Sequence, residues 1–364
     1  MKNSALKNPR ILALPLYGIG DVLMTTPAIR NLKEKIPSAS ITYLHMFKTT
    51  RDILLGNPYI DENIHFPFIG EGKHRSIKFI AGLRGKFDIA INFYPSNRKD
   101  YNIASFLSGC RTRIGHTYKM NNLTELNFLK NHTLSEDDQL HNVQENLRLL
   151  NFLGIKDPYP YPLEVFLSEE EDRAALAWME ANGIDHKMPL AGLHPGTSAF
   201  KEHVKKRWPP EKFSALIDGI SNIRRDWKFL LFGGPEEAPL KKMIRENCAP
   251  SSRDKVHIVE MPGIRQTAAI MKRCSLFISN DSGLMHLAAA LQLPTVAIFG
   301  PTDPRWVSPW KCPSRVVGPA APCAPCFRYS PVSLKCREKL DFKCLADISV
   351  EQVAEAAKSL MGWN

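Results

Sequence analysis

The sequence predicts an α/β protein in two domains, each with parallel strands covered by helices. Three observations carry that prediction. Across the first half, short apolar runs alternate with helix-period segments joined by Gly, Pro and Asn turns, the pattern of a doubly wound parallel sheet. Residues 275–304 read as strand, turn, helix and strand. Between these regions Pro158, Pro160 and Pro162 alternate, which neither a helix nor a central strand tolerates, so an extended linker divides the chain.

Taken in order, Arg10 to Leu16 is a buried strand, Gly18-Ile19-Gly20-Asp21 the turn after it, and Val22 to Lys35 one helix with Val22, Leu23, Ala28, Ile29 and Leu32 inward. Further strands are expected at Ser40 to Leu44, Asn63 to Phe68 and Phe87 to Phe93. The intervening helices fall at Thr50 to Gly56, Arg75 to Arg84 and Lys99 to Leu107. Asn92, Tyr94 and Ser96 follow one strand end, where ligands of open α/β sheets collect. A helix at His141 to Leu153 precedes the linker. Beyond it, Ser168 caps a helix to Asn182 with Glu171 as its capping-box partner, and Pro189 to Leu193 opens the second sheet. The expected domains are residues 1–165 and 166–345, with a final helix in 346–364.

Two turns carry the candidate chemistry. In Asn280-Asp281-Ser282-Gly283 a buried strand meets a helix start, whose free N–H groups and positive dipole end suit a phosphate. Asp281 and Ser282 are equally ordinary N-cap residues, and a matching polar corner at Gly18 to Asp21 is what favours a ligand. Asp21 caps a helix or, kept ionised by the helix dipole, acts as a general base. The turn is not the full G-x-G-x-x-G, and no Walker lysine follows. The strand ending at His194-Pro195-Gly196-Thr197-Ser198 leads to Lys201, Lys205, Lys206 and Arg207, either solvated charges or partners for a diphosphate. After Gly233-Gly234, Glu236 and Glu237 could hold ribose hydroxyls or simply start a helix.

The 364 residues carry 48 Lys and Arg against 37 Asp and Glu, a formal charge of +11, which favours anionic partners. No arginine-rich tract interleaved with stacking aromatics marks a nucleic-acid groove, so no nucleic acid is expected. The opening MKNSALKNPR has no apolar h-region, and no run of about 18 apolar residues occurs, so the expected location is cytoplasmic.

The ordered set GIGD, HPGTS, KKRWPP and NDSGLMHLAAALQLPTVAIFGPTDP resembles glycosyltransferase family 9, the ADP-heptose:lipopolysaccharide heptosyltransferases. The resemblance covers nearly the whole chain. It implies a GT-B fold, two Rossmann-like domains facing across a cleft, with the last helix, Val350 to Leu360, packing back towards the first. It further implies an inverting, metal-independent transfer of heptose from ADP-heptose to an acceptor hydroxyl of a lipid A/Kdo core at the inner membrane face. Asp21 matches the family's base, beside the glycine turn of Gly18 and Gly20. Lys206 matches its phosphate lysine, and Asp281, Ser282 and Gly283 match its donor element. Donor contacts are expected as well from Thr197, Ser198, Glu236 and His286.

Cys323-x2-Cys326, Cys336 and Cys344 depart from that pattern. Four thiols in a cytosolic chain point to a structural Zn or Fe site, with free thiols the alternative, and in neither case to a part in catalysis. No cofactor is expected for the transfer itself. Two other classes fit parts of the sequence. A sugar-nucleotide epimerase shares the two-domain fold but needs no acceptor, and a metal-knuckle nucleic-acid-binding protein would leave Asp21 and the 281–283 turn without a role.

Overall fold

The computed structural model describes residues 7–198, 200–318, 321–327, 334–336 and 341–363, apart from the side chains of residues 200–202. The Lys201 side chain and the first six residues therefore lie outside the description. The chain divides into two units, Met1–Phe166 and Leu167–Asn364.

The first unit holds one six-stranded sheet, β1 (Arg10–Ala13), β2 (Ser40–His45), β3 (Glu62–His65), β4 (Ile89–Ile91), β5 (Thr112–Thr117) and β6 (His132–Ser135), in the order β3-β2-β1-β4-β5-β6. Every pairing is parallel. Leu12, Leu14, Leu44, Ala90 and Tyr101 pack one face into a core with Ile80, Leu83 and Phe87. The helix expected as one piece from Val22 to Lys35 is two, Ile19–Leu23 and Thr26–Lys35. Pro27 cannot donate to a continuing ladder, and the Thr25 and Thr26 hydroxyls donate to the Val22 and Leu23 carbonyls instead. The linker is extended and pinned: Asn31 exchanges two 2.7 Å hydrogen bonds with the Tyr159 backbone. Arg30 reaches Glu164 at 2.6 Å and lies 3.7 Å from the centre of the Tyr161 ring.

The second unit repeats the plan with β7 (Leu190–His194), β8 (Lys228–Leu231), β9 (Val256–Ile258), β10 (Leu276–Asn280), β11 (Thr295–Ile298) and β12 (Ser314–Val317), in the order β12-β11-β10-β7-β8-β9. All of its pairings are parallel too. Each sheet has its first and fourth strands side by side at the centre, where the winding reverses. The sequence predicted this α/β, doubly wound class. The Ser168 and Glu171 capping box forms as expected, and Glu171 then binds Arg265, joining helices Glu169–Ala181 and Ile264–Met271. The C-terminal helix Val350–Met361 packs on Pro210–Ile223, β11 and β12 of this same unit. Trp208 anchors the segment before that helix, its indole N–H donating to the Ile348 carbonyl at 3.0 Å. Among the described residues no helix is long and apolar enough to cross a membrane.

One buried cation in the first unit has no carboxylate against it among the described residues. Lys130, 4% exposed, donates to Asn127 Oδ1, and burial pulls its pKa down to about 7. The unfolded chain holds that proton up to about pH 10.4, so between pH 7 and 10 it binds more protons than the fold, and stability rises with pH. Lys130→Met removes the penalty. It should raise the urea midpoint most at pH 7 and below, with the gain shrinking towards pH 10. A gain that is flat with pH would refute the assignment.

Candidate active site

β7 and β10 are the neighbours at the reversal of the second sheet, and the helices leaving them diverge to leave a crevice at their carboxyl ends. Asn280, at the end of β10, ties the two turns together. Its side chain donates to the Pro195 carbonyl at 2.7 Å and accepts the Trp208 N–H at 3.0 Å. This bond brings the end of the basic loop to the turn. Lys206 Nζ then meets Asp281 Oδ2 at 2.9 Å, with the two side chains only 8% and 11% exposed. Burial pushes the Asp281 carboxyl up, but the Lys206 charge, the hydrogen bond from its ammonium and the smaller contributions around them together hold the group below its ordinary value.

Ser282 occupies the N-cap of helix Gly283–Ala290, yet its side chain makes no capping bond. Its hydroxyl lies 2.8 Å from Nδ1 of His194, whose Nε2 is 3.2 Å from Glu237 Oε2. Glu237 is buried, which raises its pKa, but His194 and Arg207 bring it below the ordinary carboxylate value. The imidazole thus bridges the two, with Nε2 facing the Glu237 carboxylate and Nδ1 facing the Ser282 hydroxyl. The simple cap reading of Ser282 therefore fails, since its side chain supplies no acceptor to the first N–H groups of the helix.

Glu237 is the hub the sequence did not single out over its neighbour. Arg207 reaches its Oε1 at 3.2 Å and the Thr197 carbonyl at 2.9 Å, while the Gly234 N–H donates to its Oε2 at 3.1 Å. A Cβ on Gly196 would stand 1.7 Å from Glu237 Oε1, and one on Gly233, at φ +147°, 2.4 Å from Oε2. Those two glycines are thus what admits the carboxylate, and the pattern of glycines around an acid is the signal that could have found it. Glu236 is exposed. Thr197 turns its hydroxyl to the His203 carbonyl at 2.7 Å, and Ser198 is exposed on the loop. His286 is buried one helical turn beyond Ser282. Burial lowers its pKa to about 4, so it is neutral at pH 7, and its Nδ1 has no hydrogen-bond partner among the described residues.

In the first unit the equivalent reversal lies between β1 and β4. Gly18 is the N-cap of the short helix Ile19–Leu23, with Gly20 buried in its first turn and the half-buried Asp21 beside it. Tyr17 and Tyr101 stand edge to face at 4.9 Å near Asp21. Burial raises both phenols, Tyr101 to about 12, and the Asp21 charge adds to each shift. Asn92, Tyr94 and Ser96 form a buried floor and do not line an open surface. Asn92 donates to Asn102 at 3.2 Å, the Tyr94 N–H to Asn146 at 2.7 Å, and the Ser96 N–H to Tyr118 at 2.5 Å.

None of the eight cysteines is joined in a disulfide. Burial first, and then the nearby Cys326, Cys323 and Cys336, raise the Cys344 thiol to about 11. A tetrahedral metal needs every sulfur about 2.3 Å from one point. Among the described residues no group of three or more His, Cys, Asp or Glu is arranged to hold a metal ion, so the present arrangement does not fit the expected Zn or Fe.

The family model for glycosyltransferase family 9 (heptosyltransferase) matches residues 77–336. The lipooligosaccharide heptosyltransferase 2 of Haemophilus ducreyi is 27% identical over 82% of this chain and 86% of its own length. Lipopolysaccharide heptosyltransferase 3 of Escherichia coli K12 is 27% identical over 80% and 82%. Among solved structures, a glycosyltransferase family 9 protein from Veillonella parvula superposes with a TM-score of 0.77 at 24% identity over 99% of both chains. The E. coli ADP-heptose lipopolysaccharide heptosyltransferase II gives 0.73 at 22% identity, over 97% of this chain and 98% of that one. These likenesses establish a GT-B fold. With the family match spanning most of its length, the chain belongs to glycosyltransferase family 9, the heptosyltransferases.

Proposed function

We propose that this protein moves a heptose from ADP-heptose to an acceptor hydroxyl in lipopolysaccharide core assembly, inverting the anomeric centre and using no catalytic metal. The observation that carries the proposal is the Lys206–Asp281 pair beside an uncapped helix start at the reversal of the second sheet. Displacement at an anomeric carbon passes through an oxocarbenium-like transition state and leaves negative charge on the departing diphosphate. Lys206 and the N-terminus of Gly283–Ala290 compensate that charge. Asp21 takes the proton from the attacking hydroxyl, and one direct displacement inverts the configuration.

In this reading residues 1–165 bind the acceptor and 166–345 the donor, with the helix of 346–364 completing the fold. Both Glu237 oxygens are engaged by His194, Arg207 and Gly234, which leaves the exposed Glu236 for the ribose hydroxyls. Thr197, Ser198, Asp281, Ser282, Gly283 and the neutral His286 surround the diphosphate and sugar. The acceptor is a lipid A/Kdo-type core, met by a cytoplasmic protein at the inner membrane face, where the +11 charge favours an anionic surface. The four thiols serve as scaffolding, and no step of the transfer passes through a metal on them.

Asp21→Asn should lower the rate of transfer by about 10²- to 10⁴-fold while ADP binding stays intact. Near-normal turnover in that variant would remove Asp21 as the base. A thermal-shift panel of ADP, UDP, GDP and CDP, with and without magnesium, tests the donor. A ligand at a hundredfold excess over Kd adds roughly 2.7 kcal/mol of stability. The expected result is a selective, magnesium-independent shift with ADP that Lys206→Ala diminishes, and a preference for another base would overturn the donor assignment.

A further inference from the structure

The contact that the transfer chemistry leaves unexplained is an aromatic one. Lys206 Nζ sits 4.0 Å from the centre of the Phe327 ring, on the cysteine-bearing segment. The ammonium is thus held between two groups from distant parts of the sequence, the Asp281 carboxylate at 2.9 Å and the Phe327 π-face. Phe327 is in turn held from several sides. Its own N–H and that of Cys326 both donate to the Pro301 carbonyl, at 2.8 and 2.9 Å, in the turn after β11. Its ring meets His203 edge to face at 5.8 Å and packs with Ala321, Ala324 and Cys336 against the core of the second unit.

A lysine carries a flexible four-carbon stem and three N–H donors. Left alone in a crevice, it would sample many rotamers and recruit water. Here one donor is committed to Asp281 and the ring covers another side of the ammonium without offering a competing acceptor. Among the described residues the remaining donor direction is the one left for an anion. We propose that Phe327 is a positioning residue of the donor site, fixing the Lys206 ammonium for a nucleoside diphosphate, and that the cysteine segment is the arm that carries it there. This rests on the reading of Lys206 as the diphosphate lysine.

The test compares ADP with adenosine, which lacks the phosphates, by calorimetry on the full chain. Phe327→Leu should weaken ADP binding by about 3- to 30-fold, the range spanned by an ammonium–ring contact, and leave adenosine unchanged. Phe327→Tyr, which keeps the π-face, should restore ADP binding. In a Lys206→Ala background Phe327→Leu should have no further effect, because the two side chains act as one unit. Unchanged ADP affinity in Phe327→Leu, or an equal loss for ADP and adenosine, would overturn the proposal. If Lys206→Ala itself binds ADP normally, the diphosphate reading of Lys206 fails instead, and the two failures are told apart by that single variant.

Discussion

The constraint on which the site depends is the reversal of strand order at the centre of each sheet. Where β7 and β10 lie side by side, the connections leave in opposite directions, the arrangement that opens a crevice at the carboxyl ends of the strands. Polar side chains can meet there without disturbing the apolar faces below. Asn280 makes use of this by bonding to Pro195 on one side and Trp208 on the other. One amide thus sets the distance between the strand ends and delivers the basic loop to the crevice.

Placing Lys206 against Asp281 away from water is costly unless both charges are matched. A buried pair of this kind adds little net stability, and loss of one partner leaves a stranded charge. Its value is directional, since it fixes an ammonium and a carboxylate beside a helix start that its own N-cap side chain does not cap. The second layer follows the same logic. His194 orders Ser282 from one ring nitrogen and is itself ordered by Glu237 from the other, with Arg207 closing the network on Thr197. Gly196 and Gly233 are necessary because any side chain there would occupy the space of that carboxylate.

The cysteine segment extends this support from the opposite direction. Two successive amides on the Pro301 carbonyl and a ring against Lys206 link it to the same corner. Lys241 does comparable work at the next strand ends. Its buried ammonium donates to the Gly233 and Val259 carbonyls, both at 3.1 Å, and so joins the turns after β8 and β9. The proposed anion site is therefore framed by cations that serve geometry as much as charge.

Local pattern was enough for much of this. The helix Lys99–Leu107, the capping box at Ser168 and Glu171, and the Asn280 to Gly283 turn before an apolar helix could all be read directly, because each is governed by residues a few positions apart. β5 and β6 escaped notice because Arg113, His116 and His132 interrupt any apolar run, and those strands gain their place from parallel pairing with β4 and with each other. The break at Thr25 and Thr26 was hidden in a continuous helical period. What sequence alone determined was the α/β class and the family resemblance. Tertiary structure alone decided which of Glu236 and Glu237 is buried, that Ser282 serves His194 and not its own helix, and that a ring from the cysteine segment lies on Lys206. Those choices rest on contacts such as His194 to Glu237 and His194 to Ser282, 43 and 88 residues apart, which no local periodicity encodes.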